Sequence, residues 1–250
     1  MKVIGVIPSR YASTRLPAKP LAPIAGRPLV QWVWEGASRA SSLSELLVAT
    51  DDERIATVAR GFGARVVMTP PECPSGTDRI ATAVAGLDAD LVVNIQGDEP
   101  LMTGENIDAC VRALAADAAA SVSTPMVPLR DAADYTATHV VKVVSDAAGY
   151  ALYFSRAPIP DRQRAGEGDD DPGAPLAMKH LGLYVYRRAA LEEFVRMPPS
   201  RYERLEKLEQ LRFLEAGHRI RMVEVAHDSI GVDTPADVLA VEAVMAGRAK

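Results

Sequence analysis

Cysteine is almost missing: Cys73 and Cys110 are the only two in 250 residues. That excludes a disulfide scaffold and suits free thiols in a reducing, cytoplasmic compartment. Long apolar runs are missing too, since no stretch approaches the ~20 residues a membrane span needs. The apolar run after Met1-Lys2 stops at Pro8, too short for the core of a signal peptide. An excess of positive charge is also absent. The formal net charge is −5, which argues against nucleic acid or an anionic membrane as a partner. Neither the Walker pattern G-x-x-x-x-G-K-S/T nor the dinucleotide fingerprint G-x-G-x-x-G occurs, and there is no internal repeat. What remains is ordinary for a globular enzyme: 48% hydrophobic and 24% charged residues, enough for the core of a single domain over 1–250.

Against that background one segment stands out. Residues 8 to 20 read Pro-Ser-Arg-Tyr-Ala-Ser-Thr-Arg-Leu-Pro-Ala-Lys-Pro, directly after the apolar run Val3–Ile7. A strand thus delivers a loop with three cations, Arg10, Arg15 and Lys19, and three hydroxyls, Ser9, Ser13 and Thr14. An acidic protein that handles an anion must gather cations locally, and a loop at the end of a parallel strand is a suitable place. The prolines stiffen the loop, so the cations are partly positioned in advance.

The first half of the chain alternates strand and helix signals. Strands are predicted at Val3–Ile7, Leu46–Ala49, Val66–Met68 and Leu91–Ile95. Helices are predicted over 28–40, after a cap at Asp52, and from Ser75-Gly76-Thr77-Asp78 onward. This predicts an α/β fold with a mostly parallel, Rossmann-like sheet flanked by helices. The first loop, the Thr50-Asp51-Asp52 turn and Gln96-Gly97-Asp98-Glu99-Pro100 all follow strands, so they should share one rim. After Ser121 the pattern turns to strands with hairpin-like joins: Val122–Val127, Val140–Val144, Tyr150–Phe154 and Leu181–Tyr186. That reads as a β-rich insertion or lobe over about 121–190. The charged stretch 161–175, with Asp169-Asp170-Asp171, reads as a solvated loop. One long helix is predicted over 202–216, striped by Tyr202, Leu205, Leu208, Leu211 and Leu214, followed by a strand at Ile220–Val225.

Asp98 and Asp233 each stand in a strand-end turn. Two such carboxylates can hold one Mg²⁺ and leave its other positions to water and phosphate. Each also has a plainer reading, and Asp233, before Thr234-Pro235, could simply cap a helix. Ser75 and Gly76 could offer backbone N–H groups to a base or anion, or act only as a cap. Arg79 could clamp an anion or be solvated.

Seven blocks occur in order: Arg10-Tyr-Ala-Ser-Thr-Arg15-Leu-Pro-Ala-Lys19, Ser75-Gly-Thr-Asp-Arg79, Asn94-Ile-Gln96-Gly-Asp98-Glu-Pro100, Tyr150-Ala-Leu-Tyr-Phe-Ser-Arg156, His180-Leu-Gly-Leu-Tyr184, Leu208-Glu-Gln-Leu-Arg212 and Gly231-Val-Asp-Thr-Pro235. Together they resemble the 3-deoxy-manno-octulosonate (Kdo) cytidylyltransferases, or CMP-Kdo synthetases, over essentially the whole chain. The first and third blocks are shared more loosely by other sugar nucleotidyltransferases. The departures are small: Ala18 stands where Gly is common, and Ala236-Asp237 where Glu-Asp is usual.

The resemblance implies a nucleotide-diphospho-sugar transferase fold whose smaller β-rich lobe serves dimerisation and sugar binding. It implies CTP and Kdo as substrates, Mg²⁺ as cofactor, a homodimer, and a place in lipopolysaccharide biosynthesis. By the same resemblance Pro8, Ser9, Arg10, Lys19, Ser75, Gly76 and Arg79 bind the nucleotide. Arg15 and Lys19 face the triphosphate, and Asp98 and Asp233 hold the metal. Gln96, Arg156, His180, Tyr184, Glu209 and Gln210 bind the sugar acid. The bare residues allow plainer roles: an ion pair for Arg156, a satisfied strand end for His180, and a solvated helix face for Glu209 and Gln210. Two rivals differ in kind. One is a cytidylyltransferase for 8-amino-Kdo or another sugar acid. The other is a non-catalytic nucleotide-binding module, which predicts damage to the metal carboxylates or Lys19, and none is seen.

Overall fold

The computed structural model describes residues 1–12, 16–162 and 173–248. In chain order its strands are β1 (Val3–Ser9), β2 (Pro23–Ile24), β3 (Arg27–Pro28), β4 (Glu45–Thr50), β5 (Arg65–Met68), β6 (Leu91–Ile95), β7 (Val122–Leu129), β8 (Lys142–Ser145), β9 (Ala151–Ser155), β10 (Ala177–His180), β11 (Leu183–Arg187) and β12 (Ile220–Glu224). Its helices are α1 (Leu29–Ala37), α2 (Glu53–Gly61), α3 (Gly76–Val84), α4 (Gly104–Ala116), α5 (Ala132–Thr136), α6 (Arg188–Phe194), α7 (Arg201–Glu206), α8 (Leu211–Glu215) and α9 (Pro235–Arg248), with a 3-10 turn at Lys19–Leu21.

Ten strands form one sheet, ordered β5-β4-β1-β6-β11-β7-β10-β8-β9, with β12 beside β7. The first four run parallel. β11 then runs antiparallel to β6, with Leu183 opposite Ile95 and Tyr184 opposite Asn94. The strands between 122 and 187 therefore continue the same sheet, and β8, β9 and β10 form its antiparallel end.

Both faces of the sheet are buried, as an interior parallel sheet requires. Strand alternation divides β1 between them: Val3 and Ile7 pack with α1 and α4, while Ile4 and Val6 pack with α3 and α6. β6 divides in the same way, Val93 and Ile95 to one side and Val92 to the other. Each large side chain buried here contributes roughly 1.5–3 kcal/mol against exposure.

Three sequence expectations need correction. α4 has no counterpart in the sequence reading, although Thr103 caps it and Ile107, Val111 and Leu114 are buried at helical spacing. The single helix expected over 202–216 is two short helices. Lys207 ends α7 in the left-handed region at φ 57°, and α8 starts only at Leu211. The proposed leucine stripe is split accordingly. Leu208 and Leu211 are buried, but Tyr202 and Leu205 are exposed. Finally, the α9 cap open to Asp233 is made by Thr234, whose hydroxyl accepts from the Asp237 N–H at 3.4 Å, and in return by Asp237. Its carboxylate accepts from the N–H groups of Asp233 and Thr234 and from the Thr234 hydroxyl.

A left-handed residue other than Gly costs roughly 1–2 kcal/mol. Lys207→Gly should therefore raise the unfolding free energy in urea by about 1 kcal/mol. An unchanged or lower value would mean that the break at Lys207 carries no strain.

Candidate active site

Parallel strands β1, β4 and β6 end on one side of the sheet, and the expected rim forms there. Pro8, Ser9, Arg10, Lys19, Ser75, Gly76, Arg79, Gln96, Asp98, Glu209 and Asp233 line one cleft of about 300 Å³. Arg15, with Ser13 and Thr14, lies outside the described residues, as do 163–172, which include Asp169-Asp170-Asp171.

Ala18 turns the loop through the left-handed region, φ 53°, which accounts for a preference for Gly there. Lys19 then points inward. Its Nζ lies 2.6 Å from Asp98 Oδ2 and 3.0 Å from Asp233 Oδ1. Burial works against this ammonium, but the Asp98 and Asp233 carboxylates outweigh it and hold its pKa above the ordinary lysine value. Gly97 lets the turn after β6 press against β1, for a Cβ there would stand 2.7 Å from the Pro8 carbonyl oxygen.

On the opposite wall Ser75 is the N-cap of α3. Its hydroxyl accepts from the Asp78 N–H at 3.2 Å and donates to Asp78 Oδ2 at 2.7 Å. Ser75 is thus a cap that also lines the cleft. Arg79 is buried, and its guanidinium donates to Thr69 Oγ1 and pairs with Asp51 at 3.0 Å. It is neither solvated nor a loose clamp, but a fixed part of the wall. Asp51 and Thr69 are absent from the sequence-derived site, and nothing local distinguishes them there from ordinary turn residues.

A second hollow, of about 210 Å³, adjoins the first and shares Gly76, Gln96 and Glu209 with it. Tyr184, Tyr186, Leu208 and Gln210 also line it. Glu209 and Gln210 are therefore not on a solvated face. The left-handed turn at Lys207 swings them inward, Gln210 is buried, and Glu209 Oε2 accepts from the Thr77 hydroxyl at 2.7 Å. Burial pushes the Glu209 pKa up, with Thr77 and Arg212 opposing. Among the described residues, buried Ser9 Oγ and Gln210 Nε2 have no hydrogen-bond partner. Both sit on these walls, where polar ligand groups would satisfy them.

The antiparallel run of β11 puts its first residues on the same rim. Gly182 N–H donates to Glu99 Oε1 at 2.8 Å. Burial, and then the Asp98 charge, pushes Glu99 up to about 7. Glu99 stood next to a predicted ligand in Gly97-Asp98-Glu99-Pro100, yet only its burial marks it.

His180 and Arg156 line neither hollow. His180 is buried beneath Tyr184, ring centroids 5.4 Å apart, and packs edge-on against Phe154. The Thr124 hydroxyl donates to the Leu183 carbonyl at 2.6 Å, so it accepts from His180 Nε2 at 2.8 Å. That places the ring proton on Nε2. Arg156 donates from Nε to the Glu206 carbonyl at 2.9 Å and from Nη1 to the Thr138 carbonyl at 3.1 Å.

Burial lowers the His180 pKa to about 3, so the ring is neutral. Between about pH 3 and 6.5 the unfolded chain binds a proton here that the folded chain refuses. Stability should therefore rise with pH across that window and level off above it. His180→Asn should lose less urea stability than the parent between about pH 7 and about pH 4.5. Equal losses in both proteins would show that this ring does not drive the acid sensitivity.

Comparison with known proteins identifies the family. The family model described as cytidylyltransferase matches residues 4–220. A Geobacter sulfurreducens protein named 3-deoxy-manno-octulosonate cytidylyltransferase is 51% identical, covering 95% of this chain and 97% of its own. A protein of the same name from Syntrophotalea carbinolica is 48% identical, covering 99% of this chain and 100% of its own. A solved structure of CMP:2-keto-3-deoxy-manno-octonic acid synthetase complexed with CTP superposes with a TM-score of 0.90 at 40% identity, covering 99% of this chain. A Leptospira borgpetersenii cytidylyltransferase shares the fold alone, with a TM-score of 0.65 at 16% identity. The chain belongs to the cytidylyltransferase family, in the branch of the 3-deoxy-manno-octulosonate cytidylyltransferases.

Proposed function

We propose that this protein activates Kdo as its cytidylate, converting CTP and Kdo to CMP-Kdo and pyrophosphate. The observation that carries the reading is the junction of two hollows at Gly76, Gln96 and Glu209. One is floored by Lys19, Asp98 and Asp233 and suits a triphosphate. The other is lined by tyrosines, an amide and a carboxylate and suits a polyhydroxylated sugar acid. A nucleotide and a sugar bound on either side would meet where the two join.

The anomeric hydroxyl of Kdo attacks the α-phosphorus of CTP in line, a P–O bond forms as the hydroxyl proton is lost to solvent, and pyrophosphate departs with the electron pair of the broken bond. Such a transfer needs positioning and charge stabilisation more than covalent help. Lys19 offers its ammonium to the charge that grows on the leaving pyrophosphate. Backbone groups beside Ser75 read the cytosine edge, where a mismatched base would leave polar groups unpaired. Arg156 stands outside the lining of the second hollow, but its charge acts on Tyr184 in that wall, and it is our candidate cation for the Kdo carboxylate, with Tyr184, Glu209 and Gln210 reading hydroxyls.

Asp98 and Asp233 fit Mg²⁺. They are hard oxygen donors from separate turns, and both already converge on one cation, the Lys19 ammonium. When bound, Mg²⁺ supplies Lewis-acid charge to the phosphate oxygens. Two protein carboxylates leave room for phosphate and water in its shell.

We place the protein in the cytoplasm, supplying activated sugar for lipopolysaccharide assembly. No described helix is long and apolar enough to cross a membrane. A homodimer is supported by apolar side chains left outward on edge strand β9 and adjoining α7. Leu152 is 61% exposed and Leu205 69%, and Tyr202 packs on Tyr153.

Purified protein with Mg²⁺ and CTP should release pyrophosphate with Kdo and not with N-acetylneuraminate or methylerythritol phosphate. Release with 8-amino-Kdo alone would redirect the sugar assignment, and none with any acceptor despite CTP binding would favour the non-catalytic module. Lys19→Met should lower kcat by about 10²–10³-fold if the ammonium stabilises the leaving group. Asp98→Asn should still bind CTP while losing Mg²⁺-dependent turnover, and unchanged turnover would remove Asp98 from the metal site.

A further inference from the structure

Lys142 is fully buried, 0% exposed, at the first position of β8. No carboxylate forms an ion pair with it among the described residues. Its ammonium donates instead to three main-chain carbonyls, those of Ala137 at 2.9 Å, Val140 at 2.7 Å and Arg156 at 2.6 Å. An ammonium has three protons, so these bonds use all of them. Burying a charge on carbonyls alone is expensive, and an apolar residue would fill the same space more cheaply. Burial, and then the Arg156 charge, lowers the Lys142 pKa, while Glu206 opposes this.

The three carbonyls have a common feature. Ala137 and Val140 flank Thr138 along the chain, and the Thr138 carbonyl accepts from Arg156 Nη1 at 3.1 Å. The third carbonyl belongs to Arg156 itself. Lys142 thus fixes both the backbone that carries Arg156 and the turn that receives its guanidinium. Glu206 completes the frame. Its carboxylate accepts from the Arg156 N–H at 3.0 Å and from Ser155 Oγ at 2.7 Å, and its carbonyl accepts from Arg156 Nε at 2.9 Å. Among the described residues, both bonds made by the guanidinium end on a segment tied to Lys142 or to Glu206.

We propose that Lys142 is a positioning residue for sugar-acid recognition, holding Arg156 in the orientation that meets the substrate carboxylate. This rests on the reading of Arg156 as the partner of that carboxylate. A bidentate guanidinium–carboxylate contact tolerates little angular error, so a loosened anchor weakens binding even when the guanidinium is present. The effect is assigned to the sugar acid because none of these residues lines the nucleotide cleft, while the Arg156 charge acts on Tyr184 in the wall of the second hollow.

The test is steady-state kinetics of Lys142→Met, Arg156→Ala and the double variant, with each substrate varied separately. Lys142→Met should raise KM for Kdo by about tenfold, equivalent to the geometry of one charge-assisted bond, and leave KM for CTP within about twofold. In the Arg156→Ala background the same change should add nothing further. An unchanged KM for Kdo, equal rises for both substrates, or full additivity with Arg156→Ala would overturn the inference. If Arg156→Ala leaves KM for Kdo unmoved, the carboxylate reading fails first and the role of Lys142 fails with it. If Arg156→Ala raises that KM and Lys142→Met does not, only the role of Lys142 fails. Should Lys142→Met not fold, Lys142→Gln, which keeps a two-donor head, is read by the same criteria.

Discussion

The meeting of one ammonium with two carboxylates organises this molecule. Lys19 reaches Asp98 across 79 residues of sequence and Asp233 across 214. Without the cation, two carboxylates in a partly buried cleft would repel one another. With it, the loop after β1, the turn after β6 and the turn before α9 are drawn to one point. Gly97 allows the approach by leaving out a Cβ beside the Pro8 carbonyl. Thr234 and Asp237 cap α9 between them, so that role does not fall to Asp233. The same charge arrangement that closes this part of the fold is the one a polyphosphate and its metal would use.

The second constraint is the reversal of strand direction at β11. In a wholly parallel sheet only strand carboxyl ends reach the rim. Because β11 runs back along β6, its leading residues reach the same rim, and Gly182 and Tyr184 stand beside the ends of the parallel strands. Beneath them a neutral His180, tied to Thr124, supports Tyr184 from below. The stacked rings of Tyr184, Tyr186, Phe213 and Phe194 carry that support on into the core between sheet and helices.

Much of this was legible beforehand. Apolar runs ending in polar turns gave away β1, β4, β5 and β6, and Asp52 and Ser75 marked helix starts where caps are observed. The cation-rich loop and the turn after Ile95 identified the rim. What stayed hidden has physical reasons. Lys207 takes a left-handed conformation with no Gly or Asn to announce it, so two short helices resembled one long one. Glu209 and Gln210 then looked solvated, since their burial depends on that turn. Lys142, within Val140–Val144, could as well have pointed to water, because a lysine stem packs against apolar neighbours in either case. The pairing of Arg79 with Asp51 and Thr69 joins three turns that only the assembled sheet brings together.

Lys19 sits between Asp98 and Asp233, and under the proposed function that position is one cation seat for metal and nucleotide. The most direct test is anomalous scattering from crystals grown with Mn²⁺ and a non-hydrolysable CTP analogue. A metal peak should appear between the two carboxylates, with the Lys19 ammonium moved onto the phosphates. A peak away from both aspartates, or Lys19 still bridging them beside a bound nucleotide, would contradict the shared seat.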